Sequence, residues 1–121
     1  MLILTFVACV ATSEGDGPVA AGIWGRGTDG YGELLTVSDD ASAHLDNGCW
    51  GGDIDSLMAT AGAFDIEFYY DLRNDMEGPV LSSLTGTIDG DTMETVLTIG
   101  DNEPRSSTLI LGHEIQLWEC P

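Results

Sequence analysis

Apolar and polar residues alternate along most of this chain, and no apolar residue recurs at i, i+3 and i+4 over a sustained stretch. A period of two is the pattern of strands with one buried face. The clearest instance is 63–71, where Phe64, Ile66, Phe68 and Tyr70 fall on one face and Asp65, Glu67 and Tyr69 on the other. Residues 80–89 put Leu84, Gly86 and Ile88 together, and 92–99 turn Met93, Leu97 and Ile99 inward with Glu94 and Thr98 outward. Between them Asp89-Gly90-Asp91 predicts a tight hairpin, because Asp-Gly accepts the positive φ of a two-residue loop. Upstream, Ile23-Trp24 opens a first strand, 25–32 with its four glycines reads as a turn, and Leu35 and Val37 share a face of 33–38. Residues 38–42 form a turn. Residues 43–47 are extended and run into an expected bend or bulge at Gly48-Cys49-Trp50-Gly51-Gly52, followed weakly by Ile54 and Leu57. Residues 74–79 break the long middle strand and 100–104 turn the chain again. Leu109 and Leu111 then share a face of 106–111, and Ile115 and Leu117 a face of 114–120.

This makes about eight short strands at intervals of roughly 10 to 14 residues. The expected fold is all-β, a small antiparallel up-and-down barrel, with a β-sandwich as the alternative. Sequential hairpins without a helical return favour the barrel. At 121 residues there is room for one domain. The chain divides into a remnant export signal over 1–9, a flexible tether over 10–21 and a single domain over 22–121. An eight-stranded barrel is just wide enough to be filled by its own side chains or to hold one small ligand. In the second case Phe64, Phe68, Tyr70, Leu84, Met93 and Leu97 would line an apolar cavity.

Charge removes whole classes of partner. Twenty-one acidic residues stand against three basic ones, a formal net charge of −18. Phosphate backbones and anionic lipid surfaces repel such a body, so nucleic acid is excluded as a partner. The acids are scattered, as in a surface kept soluble by charge.

Residues 1–9 are apolar and uncharged, too few to span a bilayer. Phe6-Val7-Ala8-Cys9 has the form of a bacterial lipobox, in which small residues precede a cysteine that becomes lipidated. Cys9 is therefore the expected lipid site, in an exported chain whose natural start lies upstream of Met1. The rival reading is a first strand with a buried thiol. With Cys9 acylated, Cys49 and Cys120 are left as an even pair, and in an oxidising compartment they are expected to bridge. The alternative is a cytosolic chain with three free thiols. Trp50 adjoins Cys49, and Trp118 has the parity of Cys120, so both rings are expected near that bridge.

The residues show no catalytic constellation. His44 and His113 are the only histidines, and no Gly-x-Ser-x-Gly elbow is present. A small hydrolase would need one of them beside a hydroxyl or thiol and an acid. Asp53 with Asp55, and Asp89 with Asp91, are weak calcium candidates that lack the spacing of a twelve-residue calcium loop. No cofactor is expected.

From Gly22 onward the chain resembles a family of small bacterial exported proteins, many of them lipoproteins. The shared features are Gly22-Ile23-Trp24-Gly25, Leu35-Thr36-Val37, Cys49 followed by Gly52-Asp53-Ile54-Asp55, and Gly62-Ala63-Phe64-Asp65-Ile66. Gly86-Thr87-Ile88-Asp89-Gly90-Asp91-Thr92-Met93 and a near-terminal Cys120 complete the set. Where the family has a basic residue before the last cysteine and a leucine after it, Glu119 and Pro121 stand here. Its Gly-Gly-Pro after the middle strand is Glu77-Gly78-Pro79. The resemblance implies an exported, barrel-like domain with a Cys49–Cys120 bridge, and no particular activity.

The expected role is thus non-enzymatic: binding or structural work in the cell envelope, by a monomer touching the membrane only through its lipid. Its partner is a protein, or a small apolar ligand if the domain is a lipocalin-like carrier.

Overall fold

A computed structural model describes residues 16–26, 33–47, 50–72 and 78–113. Ten strands run through them: β1 (Gly17–Pro18), β2 (Gly22–Arg26), β3 (Leu34–Val37), β4 (Ala43–Asp46), β5 (Trp50–Ile54), β6 (Met58–Ala59), β7 (Ala63–Leu72), β8 (Val80–Asp89), β9 (Thr92–Ile99) and β10 (Arg105–Leu111). Eight of them close into an antiparallel barrel in the order β10-β2-β3-β4-β5-β7-β8-β9, while β1 and β6 make a separate two-stranded pair. This is the up-and-down barrel that the alternation predicts.

The alternation sets which side chains fill the interior. Phe64, Phe68 and Tyr70 of β7, Leu84 and Ile88 of β8, and Met93, Leu97 and Ile99 of β9 are buried in one cluster. Trp24, Leu35, Val37, Leu45, Ile54 and Leu109 complete it from the other barrel strands. Asp65, Glu67 and Tyr69 lie on the exposed side. The β8–β9 hairpin pairs Asp89 with Thr92, and Gly90 takes φ +63°, the conformation its loop requires. Barrel closure is made by β10 against β2, with Leu111 opposite Trp24 and Leu109 opposite Arg26.

Three expectations are corrected. The turn over 25–32 begins too early, because Gly25 and Arg26 belong to β2 and pair with β3 or β10. Of the bend or bulge expected over 48–52, residues 50–52 are instead part of a barrel strand, where Gly51 pairs with both Asp46 and Asp71, while 48 and 49 lie outside the described residues. The glycines serve packing there: a Cβ at Gly52 would lie 2.5 Å from the Tyr69 carbonyl oxygen and 2.7 Å from the Phe68 ring. The tether also ends earlier than 21. Gly17 and Pro18 pair with Ala59 and Met58, the Val19 amide donates to the Leu57 carbonyl at 3.1 Å, and Val19 is buried. The Trp24 indole N–H reaches back to the Ala20 carbonyl at 3.0 Å. A buried nonpolar residue whose amide is bonded to another strand cannot act as free linker.

Cys9, Cys49, Cys120 and Trp118 lie outside the described residues, as do the expected export segment and the expected strand over 114–120.

Candidate functional site

The barrel wall is uneven. β7 pairs with β8 through eight successive partners, from Ala63↔Thr87 to Tyr70↔Val80. On its other side, among the described residues, it meets β5 only at Trp50↔Leu72 and Gly51↔Asp71. The ladder stops within β5: Gly52, Asp53 and Ile54 stay paired with β4, and Gly52 packs against the Tyr69 carbonyl and the Phe68 ring instead of continuing the register with β7. Past Ile54 the chain leaves the wall, makes β6, and returns through the tight Ala61-Gly62 turn, whose φ values are +54° and +78°. The stretch of β7 from Ile66 to Tyr69 thus has no register partner on the β5 side.

This seam opens into a recess of about 930 Å³. It is lined by Ile54, Ile66 and Phe68, by His44 and Asp53 of β4 and β5, by Glu67, Tyr69 and Asp71 along the outer face of β7, and by Leu81 of β8. Tyr69 and Leu81 are cross-strand partners, and both are large apolar side chains left in water, 61% and 49% exposed. Among the described residues that line the recess, the imidazole of His44 is the one basic group.

His44 is already engaged. Its Nδ1 lies 2.7 Å from an Asp53 carboxylate oxygen, directly opposite it on the β4–β5 ladder, and its Nε2 lies 3.8 Å from Asp46. Among the described residues no hydroxyl is hydrogen-bonded to His44 or His113, so the acid–imidazole pair has no nucleophile attached. His113 is exposed, with its amide donating to the Ile110 carbonyl at 3.2 Å. Asp53 turns to His44, whereas Asp55 points into water. Asp89 and Asp91 flank Gly90 in the hairpin. Among the described residues no three His, Cys, Asp or Glu side chains gather as metal ligands.

Of the six residues expected around an internal cavity, only Phe68 reaches the recess. Phe64, Tyr70, Leu84, Met93 and Leu97 are buried in the packed cluster with it. Trp24 is fully buried in the same core. The recess depends on where β5 parts from β7, and sequence reasoning missed it. The one signal was the outward Tyr69 at a position where the alternation calls for a polar residue.

Among the described residues one acid is buried. Glu33 shares the inward parity of Leu35 and Val37 and is 5% exposed, and its Oε1 has no hydrogen-bond partner. Burial holds its carboxyl above the usual range, opposed by a hydrogen bond with Ser107 and by the charges of Arg105 and Arg26. Burial also raises the Tyr70 phenol, with the Glu33 charge adding to it. The folded state therefore binds the Glu33 proton more tightly than the unfolded chain does. Stability is then greatest below the ordinary carboxyl pKa and declines as pH rises through the raised folded value. Glu33→Gln should match the parent near pH 4 and exceed it by about 1 kcal/mol near pH 7.5, measured by urea unfolding at both values. A gap that stays constant with pH would contradict a raised carboxyl.

Searches against protein-family models, curated proteins and solved structures found no match to this chain.

Proposed function

We propose that this chain is a non-enzymatic binding domain of the bacterial cell envelope, exported and held there by a lipid on Cys9, and that it meets its partner at the β5–β7 seam. One observation carries the reading: the recess lies at the barrel wall, and of the buried aromatic and aliphatic cluster it takes in Ile54 and Phe68 at its lining while Phe64, Tyr70, Leu84, Met93 and Leu97 stay within the cluster. A carrier of an apolar ligand needs its open volume inside, enclosed by apolar walls. The seam offers instead a shallow surface with exposed Tyr69 and Leu81 beside carboxylates, the mixture of apolar contact and polar rim used in protein recognition. Acyl transfer would require an activated nucleophile beside the imidazole, and among the described residues the partners of His44 are carboxylates.

The test is a photo-crosslinking amino acid placed at Leu81, in protein expressed in its own host. A discrete protein adduct is expected from position 81 and none from a control at Asp89, on the hairpin at the end of β8. Equal labelling at both positions, or none at either, would remove the seam as the binding surface. The same preparation, analysed as intact mass, should show the Cys9 acyl groups. A stoichiometric small apolar molecule released on denaturation would instead restore the carrier.

A further inference from the structure

We propose that His44 and Asp46 bind a zinc-like divalent metal ion on the outer face of β4, with Asp53 positioning the imidazole. The site goes beyond the docking of a protein at the seam and stands without it.

The β4–β5 ladder brings the side chains together. His44 and Asp46 are two apart on β4, and both lie on its outer face, between the buried Ala43 and Leu45. Asp53 is the cross-strand partner of His44, and Gly51 that of Asp46. The imidazole lies over Gly51: a Cβ there would come within 3.3 Å of Nε2, so the missing side chain leaves the ring its place.

The proton on the ring follows from its partners. A carboxylate only accepts, so the 2.7 Å contact between Asp53 Oδ1 and Nδ1 puts a proton on Nδ1. In the neutral ring the lone pair is then on Nε2. Facing it at 3.8 Å is Asp46 Oδ2, a second acceptor, too far for a hydrogen bond. A cation between two such acceptors satisfies both. Bonds of about 2.0–2.2 Å from one metal ion to nitrogen and oxygen span up to about 4.2 Å, and about 3.4 Å at a tetrahedral angle. The gap between His44 and Asp46 lies inside that range. Metal-binding histidines use the same N–H···carboxylate bond on the far side of the ring, which fixes the tautomer and makes the ligating nitrogen more basic. Imidazole with carboxylate suits zinc, copper or nickel, whereas magnesium and calcium take oxygen ligands. His44, Gly51 and Asp53 line the recess, so water can fill the remaining positions. With two protein ligands the site is open and weak, and the −18 charge of the chain concentrates cations around it. Asp53, a calcium candidate by its spacing to Asp55, acts here by orienting the imidazole.

The experiment titrates the full chain with zinc chloride at neutral pH and follows both imidazoles by long-range proton–nitrogen NMR, with His113 as internal control. Before metal is added, His44 should carry its proton on Nδ1. Submillimolar zinc should shift the His44 Nε2 resonance to saturation and leave His113 unmoved, and magnesium at the same concentration should shift neither. Asp46→Asn should weaken zinc about tenfold or more, by loss of a ligand. Asp53→Ala should weaken it about tenfold and also move the ring proton toward Nε2. Asp53→Asn, which keeps an acceptor, should restore the Nδ1 tautomer. All three variants change side chains on the outer face, and far-UV circular dichroism checks that each is folded. Equal zinc shifts at His44 and His113 would overturn the proposal, as would a His44 ring protonated on Nε2 or on both nitrogens before metal is added. Unchanged zinc affinity in Asp46→Asn would remove Asp46 as a ligand and the site with it. No shift at millimolar zinc would overturn it outright.

Discussion

Replacing Trp24 by alanine should cost about 4 kcal/mol, the largest single effect expected in this chain. Trp24 is completely buried in β2, opposite Leu35 of β3 on one side and Leu111 of β10 on the other. It therefore fills the interior at the point where the first and last barrel strands close the ring. Its indole N–H also satisfies the Ala20 carbonyl, so truncation removes the packing and leaves that acceptor without its partner. A domain of this size is stable by only about 5–15 kcal/mol, so the variant will unfold far earlier in urea, followed by far-UV circular dichroism. Trp24→Phe keeps most of the ring volume and loses the donor, and should cost about 1–2 kcal/mol. An alanine variant within about 1 kcal/mol of the parent would mean that the ring is not part of the closed core.

The second large effect comes from adding atoms. Phe64 of β7 and Gly86 of β8 are direct cross-strand partners, and the phenyl ring lies over the glycine: a Cβ at 86 would fall 2.3 Å from Phe64 Cζ. Gly86 is needed for the space its missing side chain leaves. Gly86→Val should therefore destabilise by about 3 kcal/mol through overpacking. Phe64→Ala alone should cost about 3–4 kcal/mol by leaving a cavity. In the Phe64→Ala background, however, the valine enters the vacated space, and its further cost should fall to about 1 kcal/mol or less. The double-mutant cycle then yields a coupling of roughly 2 kcal/mol or more, measured from the four urea transitions. Additive costs would show that ring and glycine do not meet.

Gly52 repeats this arrangement with Phe68, and the two pairs explain why local sequence misleads there. Glycine in a strand reads as a bend or bulge when only the chain neighbours are considered. Gly51 and Gly52 were expected to bend the chain for that reason, and they lie in β5 because a ring from a strand distant in sequence takes up the space. At 86 the same expectation did not arise, since Leu84 and Ile88 continue the alternation on either side. The tether failed in a related way. Gly17, Pro18 and Val19 have the composition of a linker, yet Met58, Ala59 and Leu57 supply the partners that order them. No property of residues 16–19 alone announces those partners.

By itself the sequence determined the strand alternation, the inward faces of β7, β8 and β9, the Gly90 hairpin and the all-β barrel. These are local consequences of a two-residue period and of a turn that demands positive φ. Tertiary structure alone decided that β5 is shorter than the strand it meets, that the wall opens there, and that Glu33 is enclosed beside Tyr70. Each depends on which strands become neighbours and how far they run together, and a pattern read along one strand carries no information about the length of the next.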